Sequence, residues 1–230
     1  MPIHDWTRVS DGTFHDFHVA WVAEIRTALN DGLLPPGYYT QIVPAVDSDE
    51  PNVIVGGTRG LPSTRHTAEA EMDDYVLKRR TVVIRHTSGD RIVALVEIVS
   101  PGNKSSRHAI RSFVEKAVEA LYRGFHLLIV DLFPPTPRDP FGLHAAIWGE
   151  FADDPYHLPA GEPLTLAAYS AGPRKRAHVE PTAVGRELLS MPLFLTPDEW
   201  VPVPLEATYR GAYRGVPQKW KQVLEASQTG

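Results

Sequence analysis

The sequence predicts an α/β fold, a mixed β-sheet flanked by helices, and three observations carry that expectation. Two runs, Arg91 to Val99 and Phe125 to Leu132, are apolar on both faces, as central strands are. Between them Ser106 to Tyr122 has helical period, so the connection is a strand–helix–strand unit whose right-handed crossover makes the two strands parallel. Upstream lie a helix and shorter strand-like runs that a hairpin turn joins, which supply antiparallel neighbours.

The first helix is expected from Phe14 to Asn30, because Phe14, Phe17, Trp21, Ile25 and Ala28 recur at three- and four-residue intervals. Asp11 or Thr13 can cap it, and Asn30-Asp31-Gly32 followed by Pro35-Pro36-Gly37 stops it. Strand-like runs follow at Tyr38 to Val46, Asn52 to Val55 and Thr81 to His86, with a polar insertion from Gly56 to Lys78. Thr87-Ser88-Gly89-Asp90 reads as the hairpin turn into the central strand. The second helix has its stripe in Ile110, Phe113, Val114, Ala117 and Leu121, and Gly124 stands where a terminator belongs. From Pro134 the chain changes character: 14 of its 21 prolines lie there, so extended segments and short strands wrapping on the earlier core are expected.

With 230 residues, 43% hydrophobic side chains and a net charge of -5, the chain has material for a folded core. The absence of cysteine excludes a disulfide framework, thiolate metal sites and thiol catalysis, so any metal must use His, Asp or Glu. No run approaches a membrane span and the first residues lack the pattern of a secretion signal, so a soluble, cytoplasmic protein is expected. The acidic balance speaks against the broad basic footprint of a nonspecific nucleic-acid binder.

Glu97 is the first candidate for chemistry, because it interrupts a strand whose other members are apolar. A carboxylate buried there needs a cation, several donors or a raised pKa. The ordinary alternative is a strand-end Glu that faces solvent or pairs with Arg85 or Arg91. Downstream, Ser100 to Ser106 leads from a strand end into a helix start, the usual place for a site in an α/β sheet. Ser105 or Ser106 can cap that helix, and its free N–H groups with Lys104 and Arg107 can hold a phosphate, although the glycine spacing of a phosphate loop is missing. Lys116, one turn after Phe113, can reach over the sheet toward Glu97, or snorkel to water as most such lysines do. Lys104, Arg107, Arg111, Lys116 and Arg123 stand against only Glu115 and Glu119 here, a local basic excess. His4, Asp5, His15, Asp16 and His18 offer imidazoles one turn apart, but no third ligand is fixed by spacing and a zinc site is discounted. The serines lie in no nucleophile elbow.

Leu95 to Lys104, the helix with Lys116 and the strand ending Ile129-Val130-Asp131-Leu132 resemble the bacterial domain-of-unknown-function family 4058. The likeness extends to Phe14 to His18, Leu34 to Tyr39, Pro202 to Leu205, Tyr209 and Tyr213. That family is in turn similar to the restriction-endonuclease-like superfamily with PD-(D/E)xK sites. The resemblance implies a restriction-endonuclease-like core over residues 1–133, with a Pro-rich extension over 134–230 packed on it as one integrated domain. It also implies an Asp and a Glu that hold Mg²⁺ or Mn²⁺ and a Lys that orients the attacking water. Glu97 matches the second acid; Val99 occupies the usual Lys position, and Lys116 fits the variant in which the Lys has moved to the helix. The first acid falls at Asn52, an amide that removes one charge from the metal site, with Asp47, Asp49, Glu50 or Asp131 as compensating ligands.

Two functions follow. One is a metal-dependent phosphodiesterase on nucleic acid, with Glu97 and Asp131 beside Asn52 at the metal, Lys116 or Lys104 at the water, and Ser105, Ser106 and Arg107 at a phosphate. The other is a noncatalytic relative that binds nucleic acid, a partner protein or a second copy of the chain.

Overall fold

The computed structural model describes residues 2–44 and 80–226. The expected strand at Asn52, the insertion that follows it and the acids Asp47, Asp49 and Glu50 lie outside the described residues.

Helix α1 spans Asp11–Ala28, where Ser10 Oγ accepts from the Thr13 N–H and Asp11 stands in the positive first turn. Phe14, Phe17, His18, Trp21, Val22 and Ile25 form its buried stripe. A π-type turn, Leu29–Leu33, leads to β1, Tyr38–Pro44. Asn30 acts there as a surrogate strand, its Oδ1 accepting from Thr40 N at 2.9 Å and its Nδ2 donating to Thr40 O at 3.1 Å, which satisfies part of an exposed sheet edge.

Strands β2, Arg80–His86, and β3, Arg91–Ile98, form the expected hairpin, and the short helix α2, Pro101–Lys104, follows. Helix α3 spans Arg107–Tyr122, capped by Ser106 and ended by Gly124, whose φ of +84° needs a residue without a Cβ. Strand β4, His126–Asp131, is parallel to β3. Beyond Pro134 come α4, Gly142–Trp148; β5, Leu164–Ser170; β6, Arg176–Thr182; β7, Met191–Phe194; β8, Trp200–Val203; α5, Leu205–Tyr213; and α6, Gln218–Glu225.

Among the described residues the main sheet has six strands in the order β1-β2-β3-β4-β5-β6, of which only the β3–β4 pair is parallel. The part after Pro134 therefore differs from the expected wrapping of extended segments: β5 and β6 continue the sheet, and α4, α5 and α6 are helices. Prolines are accommodated at sheet borders. Pro181 lies on the edge strand β6, and Pro192 faces Pro202 in the two-stranded ribbon β7–β8, a pair that must be of the non-hydrogen-bonded kind because neither residue has an N–H.

Alternation divides the sheet into two faces. The first, with Ile84, Ala94, Val96, Leu128, Val130 and Leu166, packs under α1, α5 and the β7–β8 ribbon. The second, with Leu127, Ile129, Ala167 and Tyr169, packs under α3 and α4. Helix α3 lies toward β4, and the second face of β3 stays half-exposed.

Candidate functional site

Strand β3 shows the gap most directly: Ala94, Val96 and Ile98 are buried on the first face, whereas Ile92, Leu95 and Glu97 on the second are half-buried. Between the second face and α3 runs a cleft of ≈ 430 Å³, in the size range of small-molecule sites. Leu95, Leu127 and Ile129 form its floor, and Phe113 and Ala117 of α3 its roof. Its polar end carries Glu97, Lys116, Arg80, Thr81, His15 and His18 at the carboxyl end of β3, where ligands of α/β sheets usually bind. Arg85, Glu119 and Arg123 stand at the other end.

Each polar group is placed by its element. Antiparallel register sets Thr81 of β2 beside Glu97 of β3, and Thr81 Oγ1 donates to Glu97 Oε1 at 2.6 Å. The turn out of β3 is fixed by Asn103, whose Oδ1 accepts from Ser100 N at 2.9 Å and from Ser100 Oγ at 2.7 Å. Lys116 reaches the cleft from α3 because it lies beside the Phe113–Ala117 stripe. His18 enters from α1: its Nε2 donates to the carbonyl of Ile98 at 3.2 Å, and that bond fixes the tautomer. Burial, the largest influence, lowers the His18 pKa to about 4, so the ring is neutral. Its Nδ1 then presents a lone pair, and this buried atom has no hydrogen-bond partner among the described residues. The His15 ring stacks near it, 6.3 Å between centroids.

The structure thus brings Glu97 and Lys116 into one cleft and takes the other described candidates elsewhere. Lys104 is buried away from it, with Nζ 2.8 Å from Asp131 Oδ2, 3.2 Å from Asp139 Oδ2 and 2.8 Å from the Phe133 carbonyl. It clips α2 to the chain after β4. Asp131 is held by Lys104 and by the Phe133 N–H; burial nevertheless pushes its carboxyl above the usual range. Ser105 Oγ donates to Gly102 O, Ser106 Oγ accepts from Ala109 N as the cap of α3, and Ser105, Ser106 and Arg107 are exposed outside the cleft. The expected phosphate cradle and the expected role of Lys104 therefore have no common location with Glu97.

Among the described residues the donor set does not suit a divalent cation. Glu97 faces a hydroxyl at Thr81, Asp131 is committed to a lysine, and Asn52 lies outside the described residues. Among the described residues no group of three or more His, Asp or Glu could hold a metal. No helix among them is long and apolar enough to cross a membrane.

Sequence reasoning missed Arg80 and Thr81 and set His15 and His18 aside. A signal for His18 was present: it is a polar residue on the apolar stripe between Phe17 and Trp21. Such a residue has to find a partner for each buried nitrogen. Comparison with known proteins adds nothing to this geometry: the chain matches no protein-family model, no curated protein and no solved structure.

Proposed function

We propose that the protein is a noncatalytic ligand-binding domain built on a restriction-endonuclease-like core, with the Glu97–Lys116 cleft as its binding site. The core reading is supported by the order α1-β1-β2-β3-α3-β4, in which three antiparallel strands precede a helix and a strand parallel to the third. In the same reading, the part after Pro134 is an extension that lengthens the sheet by β5 and β6 and covers α1 with α5. The likeness to family 4058 belongs to this proposal as well.

One observation carries the noncatalytic assignment: the strand neighbour of Glu97 is Thr81, whose hydroxyl occupies Oε1 where a metal site wants a second carboxylate. A magnesium ion held by one carboxylate keeps most of its water and binds weakly. The apolar floor of Leu95, Leu127 and Ile129 fits the body of an organic ligand better than a hydrated cation.

A metal-dependent nuclease is the second reading, favoured by the shared cleft of Glu97 and Lys116. Calorimetric titration of Mn²⁺ into the wild type and Glu97→Gln, with plasmid cleavage measured in parallel, separates the two. The expected result is no saturable binding below roughly millimolar Mn²⁺ and no cleavage that depends on Glu97. Micromolar binding that disappears in Glu97→Gln would replace the noncatalytic reading with the nuclease.

A further inference from the structure

The character of the cleft narrows the class of its ligand. Leu95 and Ile92 lie in the middle of a six-stranded sheet and are still half-buried, so a bound apolar body would remove from water a surface that the described residues leave half-exposed. Charge gives a second constraint. Among the described residues Arg80, Arg85, Lys116 and Arg123 line the cleft against Glu97 and Glu119, and Arg85 is also paired with Asp90, so four cations stand against three carboxylates in a chain whose net charge is -5. The cleft is thus basic relative to the molecule, which favours an anion. The third constraint is His18. Its Nε2–H is used by the Ile98 carbonyl, and Nδ1, an acceptor only, is buried at the polar end without a partner among the described residues. A donor brought to this end by a ligand would satisfy an acceptor that the described residues leave unpaired.

We infer that the cleft binds a small amphipathic organic anion: an apolar ring system or chain on Leu95, Leu127 and Ile129, a negative group at the Arg80 end, and a hydroxyl or N–H that donates to His18 Nδ1. The inference rests on the reading of the cleft as a binding site and goes further in naming what binds.

Two fluorescent probes test it on the full chain. The dye 8-anilinonaphthalene-1-sulfonate combines fused rings, an N–H and a sulfonate; N-phenyl-1-naphthylamine has the same rings and N–H without the charge. The sulfonate should bind one to one and at least about tenfold tighter than the neutral dye at low salt. Arg80→Gln should bring the sulfonate down to the affinity of the neutral dye and leave the latter unchanged. His18→Phe, which removes the acceptor together with the Nε2–H bond to the Ile98 carbonyl, should weaken both dyes. Leu95→Trp should abolish both by filling the floor, with Ala117→Ile as the milder filling if the tryptophan variant does not fold; thermal melts monitor folding in every variant. Equal affinity for the two dyes, with no effect of Arg80→Gln, would overturn the anion assignment and leave a cleft that binds. Dye binding indifferent to both filling variants would overturn the binding site itself.

Discussion

The two faces of one sheet are built from the same alternating strands and end in different states. On the first face, α1 and α5 close over the strands so fully that Trp21, Phe14, Ile25 and Tyr209 have no exposed surface. Several of its polar atoms are paired in place: Tyr209 Oη receives the Trp6 indole N–H at 3.1 Å and stands 2.8 Å from His4 Nδ1, and the Trp21 indole donates to Thr208 at 3.1 Å, while the buried Thr40 Oγ1 has no partner among the described residues. The second face is covered over β4 and β5 but leaves Leu95, Glu97 and a buried nitrogen of His18 at a cleft. Full packing marks the face that stabilises; incomplete cover marks the face that binds.

The largest expected effect is acid unfolding. Burial lowers His4, His18, His126 and His144 to about 4, well under their ordinary value of 6.5. The unfolded chain takes up these protons as pH falls below 6.5 while the native state refuses them until about 4, so stability decreases through that window and is level above it for these groups. All four imidazoles act in the same direction, each withdrawing stability as the pH falls through that window. Asp131, pushed upward by burial, works in the opposite direction and offsets a part. Two of the four histidines abut the first face, with His4 stacked on Tyr213 and His126 near Phe194 of β7, and His18 of α1 stands at the polar end of the cleft. Melting temperatures between pH 7 and 4.5 should therefore fall steeply in the wild type, and His144→Gln, on the second face, should relieve only a minor share. A flat profile would mean that these rings are protonated or hydrated in the native state.

Truncation sharpens the comparison next. Trp21→Ala should cost about 3–5 kcal/mol, because the cavity opens in a closed core and the Thr208 bond is lost. Leu95→Ala should cost about 1 kcal/mol or less, since the half-buried leucine already borders open space. Urea midpoints measure both. Equal losses would show that the cleft is filled by other parts of the chain.

Much of this architecture was legible in the sequence, and where it was not the reason is physical. Periodicity located α1, α3, β3 and β4 within a few residues, because each buries one stripe or both faces. Helix α5 was hidden by the surrounding prolines and glycines, although Leu205, Thr208, Tyr209, Ala212 and Tyr213 have helical spacing; Pro204 sits at the start of the helix, where a missing N–H does no harm. Glu97 was legible as an anomaly in an apolar strand. Lys104 was misassigned because its partners, Asp131 and Asp139, stand 27 and 35 residues away and only the fold turns them inward. A loop lysine beside a helix start and a buried ion-pair clip look alike in one dimension.

The smallest predicted effect probes how closely the first face is packed. Gly211 of α5 lies against Glu24 of α1, so that a Cβ there would stand 2.7 Å from the Glu24 carboxyl carbon. Ordinary reasoning about helix contacts makes alanine disruptive at that distance. The obstructing atoms, however, are the end of a flexible, half-buried side chain that can swing toward water, and alanine is favoured over glycine in a helix by about 1 kcal/mol. Gly211→Ala should therefore leave stability unchanged or raise it by a few tenths of a kcal/mol. Gly124 offers the opposite case: a Cβ would meet nothing within 4 Å, yet φ is +84°, so alanine should lower stability by about 1 kcal/mol despite the open space. Melting curves of the two variants give opposite rankings according to whether side-chain room or backbone conformation governs. A loss at Gly211 larger than at Gly124 would mean that Glu24 is held rigidly and that the α1–α5 contact is tight down to the backbone.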